Sequence, residues 1–72
     1  MTRLPVLTPA KVIRALEQAG FVFVRQRGSH RMYEKGNVGI VIPFHNKDLK
    51  KGTLRSIIKQ SGLAMENFLK LS

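Results

Sequence analysis

A histidine surrounded by arginines is the feature of this sequence best suited to chemistry. His30 follows Gly28-Ser29, and Arg25, Arg27 and Arg31 lie within five positions of it. An imidazole exchanges a proton near neutral pH, and guanidinium groups stabilise negative charge that develops on a phosphate. Because RNA carries its own nucleophile, the 2′-hydroxyl, such groups would suffice to cleave it. The segment therefore predicts acid–base chemistry on an RNA phosphodiester, with His30 as the catalytic residue.

A second group of candidates lies further along the chain. His45 stands beside lysines in a polar stretch, where a histidine is usually solvated, but it could approach the end of a sheet and act as a second proton carrier. Side chains that could contact RNA are Arg25, Arg27, Ser29, Arg31, Lys47, Lys50, Lys51, Arg55 and Lys59. The alternative for these cations is a solvated surface that contacts backbone phosphates or nothing. The alternative for His30 is a surface histidine that packs on Met32.

Other classes of catalytic site lack the residues that they need. The acids Glu17, Glu34, Asp48 and Glu66 are scattered over separate segments, whereas a two-metal nuclease needs several converging carboxylates. The two histidines lie fifteen positions apart without neighbouring ligands, and the chain has no cysteine. No phosphate-binding glycine motif or serine triad pattern is present. We therefore predict neither a metal nor a cofactor.

Length and charge restrict the kind of protein further. The 72 residues predict one domain, residues 1–72, whose thin core leaves room for a surface groove and not for a deep cavity. Thirteen Lys and Arg against four Asp and Glu give a net charge of +9. Such a balance is typical of nucleic-acid binders, which release counterions from phosphates. The alternatives are that the excess cations only maintain solubility or that they bind an acidic protein.

The sequence also predicts a cytoplasmic protein without a membrane segment. The longest apolar stretches, residues 21–24 and 40–42, are far too short to span a bilayer. The N-terminal residues Met1 to Pro5 lack the apolar run of a signal peptide.

Periodicity and capping residues predict the elements that position these side chains. Thr8-Pro9 is typical of a helix start, and apolar residues at helical spacing continue to a stop at Gly20. β-branched and aromatic residues then predict three strands, at residues 21–27, 30–35 and 38–42, with turns at 28–29 and 36–37. A polar loop over 44–51 precedes a helix that opens at Gly52-Thr53 and ends at Gly62, followed by a short helix over 65–71.

This order, α-β-β-β-α with a small extra helix, predicts an α+β fold. Helices at both ends of a three-stranded antiparallel sheet can cover one face and leave the other wet. The layout is that of the double-stranded RNA-binding domain. Alternation within the second strand places Met32 on the face of His30, and Arg31 with Tyr33 on the opposite face. Tyr33 is expected to be a core or sheet-face aromatic.

Several of these segments together resemble the HicA toxins. The resemblance rests on Gly20-Phe21, Arg25-Gln26-Arg27-Gly28-Ser29-His30, Ile42-Pro43-Phe44-His45, and the run from Lys50 to Leu63. It extends from about Thr8 to the C-terminus. The specific feature is the combination of the Gly-Ser-His turn with the Gly-Thr-Leu-Arg-x-Ile segment at this separation. A Gly-Ser-His tripeptide alone would not indicate the family.

The resemblance implies an activity, a partner and a site. It implies a ribonuclease toxin that degrades mRNA and a HicB-like antitoxin that covers the face of His30, which corresponds to the family's active-site histidine. We expect a monomer alone and a hetero-oligomer with the antitoxin. His45 matches the family's Pro-x-His segment. Where the family commonly has a capping Ser or Thr followed by an acid, this chain has Ala64 and Asn67; losing such a cap costs about 1 kcal/mol.

The leading hypothesis is therefore a metal-independent mRNA endoribonuclease of a type II toxin–antitoxin system, with His30 as general acid or base. A non-catalytic basic module that binds double-stranded RNA by its shape and 2′-hydroxyls is the second. A protein whose basic face meets only an acidic partner is the third.

Overall fold

The structure, a computed structural model, describes residues 4–72. Residues 1–3, which the single-domain prediction and the signal-peptide argument both include, lie outside the described part. Three helices and three strands follow one another as α1 (Pro9–Gln18), β1 (Val22–Arg27), β2 (His30–Lys35), β3 (Val38–Pro43), α2 (Lys51–Ser61) and α3 (Met65–Leu71). The strands form one antiparallel sheet in the order β1-β2-β3. The predicted α+β order is confirmed.

The first helix begins where the sequence predicts. The Thr8 hydroxyl accepts a hydrogen bond from the backbone N–H of Lys11, which satisfies one of the donors that a helix start leaves free. Pro9 occupies the first turn, where its missing N–H has no cost. Val12 and Leu16 are fully buried along the apolar side of this helix. The helix therefore presents one face to the core while its charged side chains remain in solvent.

Two-residue turns join the strands of the sheet. Arg27 pairs with His30 across the first turn, and Lys35 pairs with Val38 across the second. In each turn the first central residue is a glycine with positive φ, 57° at Gly28 and 59° at Gly36. Residues 29 and 37, which follow these glycines, do not have positive φ. This pattern is typical of type II′ turns, which explains why glycine comes first in both turns.

Strand β1 contains a bulge that the alternation of its sequence does not reveal. Phe23 pairs with Tyr33, but the next residue of β2, Met32, pairs with Arg25. Val24 is therefore an extra residue without a partner in the ladder. The bulge changes the face on which all later residues of β1 lie, because successive side chains in a strand alternate.

The boundaries of three elements differ from the sequence prediction by one residue. β1 begins at Val22, because Phe21 is buried beside the end of α1 before the ladder starts. β3 includes Pro43, which pairs with His30 at the end of the strand. Helix α2 begins at Lys51 and not at Gly52-Thr53, so the loop covers residues 44–50. Helix ends are commonly ambiguous by such a margin.

The helices pack against one face of the sheet, chiefly over β3, and leave the other face open. The side chains that point from the sheet into the core include Tyr33, which is 2% exposed, and the fully buried Ile40 and Ile42. Phe68 from α3 and Leu54 and Ile57 from α2 complete this layer. Tyr33 is a core residue, as predicted. The helices thus support the sheet from one side and leave the side chains of its other face in solvent.

Candidate functional site

A shallow concavity of about 260 Å³ lies on the open face of the sheet. Its lining consists of Arg25, Arg27, His30, Met32 and Val41. Two guanidinium groups and one imidazole therefore border a floor made by a thioether and an isopropyl group. This combination places positive charge and a proton carrier beside a surface on which an apolar or aromatic group can rest.

Strand register explains why these five side chains share one face. His30 pairs with Arg27, and Met32 pairs with both Arg25 and Val41. Directly paired residues of antiparallel strands project to the same side of the sheet. The alternation predicted for His30 and Met32 is confirmed. The position of Arg25 on this face depends on the bulge at Val24, without which Arg25 would pair with Arg31 on the helix side.

The site is open to solvent and not buried. His30 is exposed, and none of the polar or charged residues in the described range 4–72 is buried. The imidazole is therefore accessible to a large polyanion such as RNA. An exposed ring beside two arginines can exchange a proton with the hydroxyl groups of a bound RNA, while the guanidinium groups attract its phosphate.

Arg31 lies on the other face of the sheet from His30. It pairs with Gln26 on β1 and with the buried Ile42 on β3. Its guanidinium carbon stands 3.6 Å from the centroid of the Phe44 ring, a cation–π contact. Arg31 is half-buried, and it does not line the concavity that holds His30.

His45 lines a different concavity from His30. This second hollow, of about 440 Å³, is bordered by Thr8, Ala10, Phe44, His45 and Asn46. The Nδ1 atom of His45 accepts a hydrogen bond of 3.2 Å from the backbone N–H of Lys47. With Nδ1 as the acceptor, Nε2 is the nitrogen that carries the ring hydrogen. The structure therefore does not bring the two histidines into one site.

The remaining candidate cations lie on the loop after β3 and on α2. Lys47 and Lys50 are exposed on the loop, and α2 carries the exposed Lys51, Arg55 and Lys59. None of the five lines the concavity of His30. The loop that carries the first two leaves β3 directly after Pro43, the partner of His30. Ser29 is exposed in the turn, and its carbonyl accepts a hydrogen bond from the N–H of Phe44.

Three residues that shape this region, Gln26, Val41 and Phe44, were not among the predicted site residues. Val41 could have been found, because alternation from Ile40 and Ile42 places it on the open face. Gln26 and Phe44 lie in segments that resemble the HicA toxins, but their contacts with the turn and with Arg31 depend on the bulge and on the chain beyond β3. Within residues 4–72, no three His, Cys, Asp or Glu side chains gather as a metal site would require. No helix in that range has the length and apolar character to cross a membrane.

Comparison with known proteins agrees with the resemblance seen in the motifs. A protein-family model, that of the HicA toxin of bacterial toxin–antitoxin systems, matches residues 9–63 of the 72-residue chain. The matched range contains all three strands, the Gly28-Ser29-His30 turn and helix α2 in full. A search of curated proteins found no significant match. The match covers well over half of the sequence, and the chain therefore belongs to the HicA toxin family.

Proposed function

We propose that this chain is a metal-independent endoribonuclease toxin that cleaves mRNA in the cytoplasm, with His30 as general acid or base. The observation that carries the proposal is the exposed His30 imidazole in one concavity with Arg25 and Arg27. Membership of a toxin family supports a role that harms the cell's own machinery. A net charge of +9 supports a polyanionic target.

The chemistry requires few groups from the protein. The 2′-oxygen of RNA attacks the adjacent phosphorus, the bond from phosphorus to the 5′-oxygen breaks, and a 2′,3′-cyclic phosphate and a 5′-hydroxyl result. One proton leaves the 2′-hydroxyl and one is added to the departing 5′-oxygen, and His30 would transfer one of them. Arg25 and Arg27 would stabilise the charge that develops on the phosphorane oxygens. Met32 and Val41 would support a base or ribose against the sheet.

Cleavage of a synthetic RNA in excess chelator tests this proposal. We expect the wild-type protein to produce cyclic phosphate ends and to spare RNA whose 2′-hydroxyls are methylated. His30→Ala should lose activity on the order of 10²- to 10⁴-fold, the usual contribution of a general acid or base. His45→Ala is the matched control, since it removes the same side chain from the other hollow. Equal cleavage by His30→Ala, or complete inhibition by chelator, would contradict the mechanism.

A non-catalytic RNA-binding module remains the second candidate. One observation favours it: beside His30 the concavity is lined by two arginines, a methionine and a valine, so a second proton carrier would have to come from elsewhere. Salt-dependent RNA binding without cleavage, equal in the wild type and in His30→Ala, would support this function. Failure to bind RNA at low salt would instead support a protein that meets only an acidic partner.

Toxin–antitoxin pairing implies an antitoxin partner. We propose that a HicB-like antitoxin covers the open face and so masks His30. Exposed apolar side chains beside the cations support this docking surface, since Val22 is 62% exposed and Val41 is 48% exposed. Co-expression with an acidic protein encoded beside this chain should give a stable hetero-oligomer, whereas the toxin alone should be a monomer in light scattering. Val41→Asp should weaken that complex, and Val6→Asp, at another exposed valine, should not.

A further inference from the structure

The turn that presents His30 is held from the helix side of the sheet by a closed set of contacts. The Gln26 amide nitrogen donates to the carbonyl oxygen of Gly28 at 2.9 Å. The Gln26 amide oxygen accepts from the Nε of Arg31 at 3.0 Å. One side chain thus connects the turn with the opposite strand.

The same set of contacts continues through the end of β3. The Arg31 guanidinium stacks on the Phe44 ring, with 3.6 Å from the guanidinium carbon to the ring centroid. The backbone N–H of Phe44 donates to the carbonyl oxygen of Ser29. Both central residues of the turn are therefore fixed, Gly28 through Gln26 and Ser29 through Phe44, and Arg31 joins the two connections. We call these contacts the turn brace.

We propose that Gln26 and Arg31 are positioning residues for His30, acting through the turn brace, and that Arg31 is not a phosphate contact. The inference rests on the proposed ribonuclease function. His30 is the first residue after the turn, at an exposed end of the sheet that no helix covers on the open side. Rates of proton transfer depend steeply on placement, and an error of about 1 Å can cost 10²-fold.

The chemistry of Arg31 agrees with a positioning role. Its Nε donor and one face of its guanidinium plane are already engaged, and it lies on the opposite face from the His30 concavity. Lysine cannot replace it here, because an ammonium group has neither the planar surface nor a donor at the Nε position. Arg25 and Arg27 differ from Arg31 in this respect, since they line the concavity itself.

Single-turnover cleavage at saturating RNA, combined with RNA affinity from fluorescence anisotropy, separates positioning from binding. Gln26→Ala and Arg31→Lys should lower the cleavage rate on the order of 10- to 100-fold while the Kd for RNA stays within about twofold. Arg27→Gln is the matched control on the open face and should raise the Kd. Phe44→Leu should behave like Arg31→Lys, whereas Phe44→Tyr, which keeps the ring, should retain the wild-type rate.

Two outcomes would overturn the turn brace. The first is an Arg31→Lys variant whose Kd rises as in Arg27→Gln while its rate at saturation is unchanged. The second is a set of Gln26, Arg31 and Phe44 variants that all cleave at the wild-type rate.

A measurement independent of cleavage keeps this test separate from the proposed function. In ¹⁵N relaxation, the backbone order parameters of Ser29 and His30 should fall in Gln26→Ala while those of β3 stay constant. If the wild type does not cleave RNA, the proposed function fails, and the order parameters still decide whether the turn brace holds the turn. Unchanged order parameters at both residues would refute it.

Discussion

Deletion of Val24 should leave the fold and the His30 face intact. A one-residue deletion inside a strand ordinarily moves every following side chain to the opposite face. Val24, however, is the extra residue of the bulge, between the pairs Phe23–Tyr33 and Arg25–Met32. Without it, both pairs keep their register, and β1 becomes a regular strand. Deletion of Gln26, three positions from the turn residue Ser29, is the matched control of equal length.

The two deletions should differ in stability. Val24 is 40% exposed, so the apolar burial lost with it is worth about 1 kcal/mol, and a recovered ladder hydrogen bond offsets about the same amount. Deletion of Gln26 removes two side-chain hydrogen bonds, each worth about 0.5–1.5 kcal/mol. With the turn unchanged, it also places Arg25 opposite Arg31, where like charges destabilise by about 0.2–1 kcal/mol. We therefore expect the deletion of Gln26 to lower the free energy of unfolding by about 2 kcal/mol and the deletion of Val24 to leave it almost unchanged.

Thermal unfolding followed by circular dichroism measures this difference. For a domain of this size, 2 kcal/mol corresponds to a Tm lowered by about 8–16 °C, whereas the deletion of Val24 should change the Tm by less than about 5 °C. NMR contacts between the Phe23 and Tyr33 rings, whose centroids are 5.7 Å apart, should persist without Val24. If deletion of Val24 lowers the Tm as much as deletion of Gln26, the assignment of the bulge residue is wrong.

Other substitutions test the site and the turns. Log affinity for single-stranded RNA should fall less steeply with log salt concentration in Arg25→Gln and in Arg27→Gln, by about 0.7 in the slope for each, because each variant would release one counterion fewer. Unchanged slopes in a fluorescence titration would show that these residues do not contact the RNA backbone. Gly28→Ala should lower the free energy of unfolding by about 1–2 kcal/mol, because φ there is 57° although space for a methyl group is open. Urea unfolding measures that loss, and a variant as stable as the wild type would show that the turn relaxes freely. Ala64→Ser should add about 1 kcal/mol, since Ala64 occupies the N-cap of α3 in an extended conformation without a side-chain cap; a lowered Tm would contradict this expectation.

Much of the fold could be predicted from the sequence, because its signals are local. Thr8-Pro9 and Gly62 mark helix ends through backbone geometry that only neighbouring residues influence. Alternation within β2 was enough to separate His30 from Arg31, since side chains of one strand alternate whatever its partners are. The concentration of arginines around His30 is likewise a property of sequence distance alone.

The tertiary structure decided which of these arginines meets the histidine. Pairing with β2 selects the bulge at Val24 and so places Arg25 on the face of His30, which the composition of β1 does not encode. The stack of Arg31 on Phe44 joins residues thirteen positions apart, and the two histidines line separate hollows. These contacts form because burial of the common core brings together strands and loops that are distant in sequence. They therefore depend on the packing of the whole chain and cannot be predicted from any one segment.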